Sequence, residues 1–189
     1  MQTSLVLRMS QAYNQYMEDR DKKFMELALE KATAAKEAGD VPFGAVIIKD
    51  GQVIVAVGNS EHADQDVTKH AEMKAVSAAS KKLGRDLSGC TIYTTVEPCP
   101  MCAGAIFHSC ISRVVYGMSR DDLPHLFRTR TVRLWHLAED WHYKPEVVGG
   151  VLKEQAIEKF LAYSQPFRVE PTQEPQLTDS LVIPQVSAA

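Results

Sequence analysis

The stretch CTIYTTVEPCPMCAGAIFHSCISRVVYGM, residues 90–118, decides the fold. Its first seven residues are rich in Thr, Val, Ile and Tyr, which suit a strand. Pro98 and Pro100 follow. Proline is accepted in the first turn of a helix and not inside one, so a helix begins here. SRVVYGM, residues 112–118, then returns to strand composition. Working outward, residues 19–38 (DRDKKFMELALEKATAAKEA) place Phe24, Leu27, Leu29, Ala32 and Ala35 at helical spacing, with Gly39 as a stop. VPFGAVIIKD and QVIVAVGNS, joined at Asp50-Gly51, predict a β-hairpin. HAEMKAVSAASKKLG, residues 70–84, predicts a helix. PEVVGG, residues 145–150, predicts a short strand, and VLKEQAIEKFLAY, residues 151–163, a last helix.

A hairpin followed by strand–helix–strand units implies a mixed sheet with helices on both faces. The expected fold is therefore α/β, a three-layer α/β/α sandwich around a central mixed five-stranded sheet. Three regions are expected: a poorly patterned N-terminal segment (1–18), one domain (19–163) and a proline-containing tail (164–189). Residues 119–144 show no regular pattern.

The chain has 189 residues and a formal charge of −3. That length suits one domain with a full core. The charge argues against a general electrostatic grip on nucleic acid. No apolar run approaches the roughly 20 residues of a membrane helix, and the N-terminus lacks a signal-peptide core. A cytoplasmic enzyme with no membrane partner is expected. In a reducing compartment Cys99 and Cys102, three apart, point to metal or redox chemistry rather than a disulfide.

Two short segments carry the chemistry. His70-Ala71-Glu72 opens one helix and Pro98-Cys99-Pro100-Met101-Cys102 opens the next. The combination H-x-E … P-C-x-x-C is the signature of zinc nucleobase deaminases. Helix N-termini favour thiolates, and His70, Cys99 and Cys102 leave a fourth tetrahedral position open, the catalytic pattern for Zn²⁺. Two thiolates weaken such a metal as a Lewis acid, so a nearby base should help deprotonate water, and Glu72 is the candidate. Residues two apart on an ideal helix point about 200° apart. His70 and Glu72 can converge only if His70 sits at the very start of its helix. A fourth ligand from Cys90, Cys110 or His108 would close the site and make it structural.

On VPFGAVIIKDG, Gly58-Asn59, TKHAE, IYTTVEPCPMCAGAI and RVVYG, the chain resembles the cytidine deaminase-like superfamily. The branch is that of guanine deaminases, fungal-type cytosine deaminases and tRNA adenosine deaminases. The resemblance spans about residues 20–118 closely and 145–163 more loosely. It implies that Asn59 hydrogen-bonds the base, that the backbone at Glu97 faces the leaving group while its side chain orients nearby loops, and that the protein is a homodimer. Phe43 would pack against the bound base, and Glu97 and Phe43 are counted with Asn59 as substrate-binding. Local chemistry offers simpler roles: Asn59 as a turn residue, Glu97 as a helix N-terminal carboxylate, Phe43 as core.

The expected activity is hydrolytic deamination of a free purine or pyrimidine base or nucleoside, releasing ammonia. A tRNA-specific adenosine deaminase and a non-catalytic zinc-stabilised protein are the alternatives. CAGAIFHS pulls toward tRNA editing. Against it stand the balanced last helix (Lys153 and Lys159 against Glu154 and Glu158), a tail with Arg168 as its only basic residue, and Val67 where the tRNA group has proline. Arg128, Arg130 and Arg133 form a short basic cluster that could meet phosphate, although the mixed charge of residues 119–144 favours a solvated surface. Trp135, His136, Trp141 and His142 lie in the same unplaced region.

Overall fold

The structure, a computed structural model, describes residues 2–123, 132–141 and 143–164. Ten regular elements follow in order: α1 (Gln2–Glu37), β1 (Gly44–Lys49), β2 (Gln52–Gly58), α2 (Ala71–Leu83), β3 (Cys90–Val96), α3 (Pro100–His108), β4 (Arg113–Met118), α4 (Leu134–Asp140), β5 (Glu146–Gly149) and α5 (Lys153–Ser164). The strands form one sheet in the order β2-β1-β3-β4-β5. β1 pairs antiparallel with β2 and β3, while β3, β4 and β5 run parallel. The mixed five-stranded sheet expected from the hairpin and the strand–helix–strand unit is present.

The period-two alternation of the strands divides the core in two. Ala45, Ile47, Ile92 and Val114 face α2, α3 and α4. Val46, Ile48, Tyr93 and Val115 face α1 and α5. Asp50 (φ 51°) and Gly51 (φ 76°) both take left-handed backbone, which a two-residue hairpin turn of primed type requires. Gly44 serves another need. A Cβ there would collide with the Ala28 carbonyl oxygen, so α1 can cross β1 only over glycine.

Two elements depart from expectation. The N-terminal segment, expected to lack pattern up to residue 18, belongs to α1, which runs unbroken from Gln2. No Gly or Pro interrupts residues 1–38, and extending an existing helix costs far less than nucleating one. Periodicity is weak there because the described side chains of that part are mostly exposed, Tyr13 and Tyr16 at 63% and 62%. Within 119–144, Leu134–Asp140 forms α4, which buries Leu134 and Ala138. The tail after Ser164, together with Arg128, Arg130 and His142, lies outside the described residues.

One buried ion pair ties the layers together. Asp21 on α1 accepts from two Arg113 nitrogens at 2.7 and 2.8 Å and from the Tyr93 hydroxyl at 2.8 Å. Hydrogen bonding and burial push the Tyr93 phenol well above its usual range, so it stays a donor. Among the described residues, no helix is long and apolar enough to cross a membrane.

Candidate active site

α2 and α3 pack side by side with adjoining N-termini, behind the ends of β2 and β3. His70 is the residue before α2, with extended backbone (φ −60°, ψ 149°), and Cys99 holds the same place before α3 (φ −71°, ψ 166°). Because His70 lies off the helix and Glu72 within its first turn, the 200° conflict does not arise. Pro100 fills the first position of α3, where no N–H is needed, and Cys102 follows on its first turn.

The His70 Nδ1 lies 3.4 Å from the Cys102 sulfur and 3.7 Å from the Cys99 sulfur. Ligands at ordinary Zn–N and Zn–S distances in a tetrahedron stand about 3.6 Å apart. The three donors are thus spaced for one zinc ion, and their ligand atoms all lie within 4.8 Å of one another. No fourth His, Cys or carboxylate joins them among the described residues. Cys90 is buried in the core at the start of β3, and His108 packs edge-on against Trp141. The closed, structural site considered from sequence is not formed by these residues.

The protons of this cluster are unevenly held. A hydrogen bond from Cys102, with another from His70, lowers the Cys99 thiol to about 3. The same thiolate, together with burial, pushes Cys102 up. His70 is raised, chiefly through its hydrogen bond to Cys99. A divalent cation would remove the remaining protons, since it binds thiolates and neutral imidazole. The other ring nitrogen of His70, Nε2, stands 3.4 Å from a Glu61 carboxylate oxygen.

Glu72 is 4% exposed. Burial pushes its carboxyl up, with the Cys99 thiolate adding to the effect and His70 and Arg120 opposing it. A carboxyl held above its ordinary range by burial is suited both to taking and to returning a proton.

The remaining predicted residues divide. Asn59 is 4% exposed at the end of β2, and its N–H bonds to the Phe43 carbonyl. Phe43 stacks on Phe160 of α5 at 5.5 Å, which joins the last helix to this wall. The Glu97 side chain ties neighbouring segments together. Its oxygens accept from Arg133 Nε at 3.0 Å and from an Arg133 Nη. They also accept from Ser119 Oγ at 2.9 Å and Arg120 N at 3.3 Å. Both Glu97 oxygens are thus engaged by protein donors. The sequence offered no sign of Asp40, Glu61 or Ser119, and it placed Arg133 in a basic cluster read chiefly as solvated surface. The Arg133 guanidinium spans Glu97 and Asp121.

Residues 18–118 match the family of the cytidine and deoxycytidylate deaminase zinc-binding region. The tRNA-specific adenosine deaminase of Bacillus subtilis is 38% identical over 137 residues, covering 72% of this chain and 83% of the relative. A structure solved in work on A-to-I editing by tRNA:A34 deaminases is 35% identical. It covers 72% of this chain and 98% of its own, with a TM-score of 0.63. A structure of the guanine deaminase from Nitrosomonas europaea is 28% identical over 74% of this chain and 81% of its own, with a TM-score of 0.65. The chain belongs to this zinc-binding deaminase family. The expectation that tRNA is the less favoured substrate finds no support in these likenesses, since the tRNA-directed relatives are the more similar in sequence.

Proposed function

We propose that this member of the zinc-binding deaminase family hydrolyses adenosine in tRNA to inosine, releasing ammonia. The observation that carries the reading is the extent of likeness to the B. subtilis tRNA-specific enzyme, 83% of whose length is matched. Net charge weighs little against this reading, because an RNA grip depends on a few local cations and the sum over a chain does not report them.

In this reading His70, Cys99 and Cys102 hold zinc. When bound, the metal polarises the attacking water. Glu72 takes a proton from that water as it adds to the ring carbon bearing the amino group, and delivers the proton to the neighbouring ring nitrogen. As the C–N bond breaks, Glu72 takes the remaining proton of the added hydroxyl, which becomes the carbonyl, and passes it to the amino group, which leaves as ammonia. Its raised pKa suits both transfers. Asn59 contacts the base from the end of β2, and Phe43, fixed by its stack on Phe160, lines the approach. Glu97 acts indirectly, by holding Arg133 against the segment that carries Cys99. The enzyme is taken as a homodimer, which sedimentation velocity would check.

A second reading, a free amino-purine as substrate, is favoured by one observation. The guanine deaminase structure overlaps this chain at least as fully as the tRNA-directed one, despite lower sequence identity. Incubation of the zinc-loaded chain with unmodified tRNA, adenosine, adenine, guanine and cytosine separates the two. Glu72→Gln serves as the blank. Ammonia and inosine from tRNA alone support the first reading. Ammonia from a free base, with none from tRNA, replaces it with the second.

A further inference from the structure

Asp40 sits in the short link between α1 and β1 and is 0% exposed. Its carboxylate accepts four N–H groups. Oδ1 takes the Asn59 Nδ2 at 2.6 Å and the Val41 N–H at 2.8 Å. Oδ2 takes the His62 and Ala63 N–H groups at 2.8 and 3.0 Å. These bonds outweigh burial and hold the Asp40 carboxyl below its usual range, so it stays ionised. An ionised carboxylate only accepts hydrogen bonds. It can face the amide nitrogen of Asn59 and never the oxygen. The Asn59 amide therefore has one orientation, set from a residue 19 positions earlier in the chain.

The consequence is an acceptor without a partner. Asn59 Oδ1 is buried and has no hydrogen-bond partner among the described residues. Buried polar atoms in native proteins are paired almost without exception, so an orphan marks a place where a ligand or water completes the set. The position fits a ligand. The next residue, Ser60, bonds through its N–H to the Lys69 carbonyl, directly before the zinc ligand His70.

We propose that Asp40 is a positioning residue that turns the carbonyl oxygen of Asn59 toward the substrate, so that the site reads an N–H donor on the base. The inference rests on the deaminase reading of the site. It favours a base that presents an amino group or a ring N–H to Asn59 Oδ1, while the second Nδ2 proton can still meet an acceptor elsewhere on the base. A base offering only a carbonyl or an unprotonated ring nitrogen at that edge leaves two acceptors facing each other.

Two measurements on the zinc-loaded full chain test this. In a ¹⁵N-labelled sample the Asn59 side-chain amide, assigned with Asn59→Ser, should show one proton shifted downfield. Its exchange should be at least about tenfold slower than that of the exposed Asn14 side chain. Asp40→Asn should abolish both features, because an amide at position 40 can pair with either end of Asn59. An Asn59 amide that exchanges like Asn14 in the unsubstituted chain overturns the proposal. With any substrate the chain turns over, Asp40→Asn should raise KM about tenfold with a smaller fall in kcat and unchanged zinc content. An unchanged KM in the folded variant also overturns it. The NMR measurement needs no substrate, so failure of the deaminase reading would appear separately, as absent turnover with the Asn59 amide still protected.

Discussion

Arg133 lays its guanidinium across both oxygens of Glu97, which is 1% exposed and stands two residues before Cys99. A side chain from the entry to α4 thus braces the segment that carries a zinc ligand. Removing one partner from such a pair leaves a buried charge uncompensated. Arg133→Ala should cost about 3 kcal/mol of stability, read as a lower urea midpoint at unchanged m-value.

The same pair sets a pH dependence. Burial alone would raise the Glu97 carboxyl, but hydrogen bonds from Arg133, Ser119 and the Arg120 N–H outweigh it and hold the group below the usual range. The folded value thus lies below the unfolded one, and as pH falls the unfolded chain binds the proton first. The stability from Glu97 is complete above about pH 4.3 and is lost as pH falls through the folded value. Urea titrations across pH should show a gap between the unsubstituted chain and Glu97→Gln at neutral pH that narrows steadily below pH 4. A gap independent of pH would rule out this role.

Asp21 and Arg113 join α1 to the sheet, with side chains 6% and 9% exposed. Asp21→Ala leaves Arg113 with only the exposed Glu146 carboxylate, 3.0 Å from its Nε, and removes the acceptor of the Tyr93 hydroxyl. The expected loss is about 3–5 kcal/mol, measured by denaturant unfolding. A loss below about 1 kcal/mol would mean that solvent or Glu146 takes over.

Glu72→Gln keeps the shape of the side chain and removes its proton chemistry. Turnover should fall by about 10²–10⁴-fold, while zinc content, measured by atomic emission, stays at the unsubstituted level. Near-normal turnover with zinc retained would remove Glu72 from the role of acid–base.

Glu61 stands beside the Nε2 of His70, opposite the nitrogen that faces the thiolates. A carboxylate in that place fixes the ring tautomer and makes the imidazole a better ligand. Glu61→Gln should weaken zinc binding about tenfold or more, read by competition with a chromogenic chelator. Unchanged affinity would make the contact incidental.

Much of this molecule is legible in local sequence. Asp50-Gly51 between two β-rich runs could only be a tight hairpin, and Pro98 and Pro100 could only stand where a helix begins. The pairing of TKHAE with PCPMC picked out the three candidate ligands and the candidate base, because metal ligands and helix starts are both written in residue type at short spacing. The N-terminal part of α1 was not legible, since its exposed residues, Tyr13 and Tyr16 among them, impress no period on the sequence. α4 was missed because seven residues are too few for periodicity to stand out. The partner of Glu97 was not legible, because Arg133 lies 36 positions away, across an unpatterned stretch.

By itself, the sequence determined the order of the strands and of the helices other than α4, the candidate ligand set and the candidate acid–base, all of which follow from backbone propensity and side-chain chemistry over a few neighbouring residues. Only the tertiary structure decided what those residues face. It set Asp40 against Asn59, Glu61 against His70, Arg133 against Glu97 and Asp21 against Arg113. Each of these contacts is a short-range electrostatic interaction whose strength falls away within a few ångströms. Nothing along the chain marks which distant partner folding will bring within that reach.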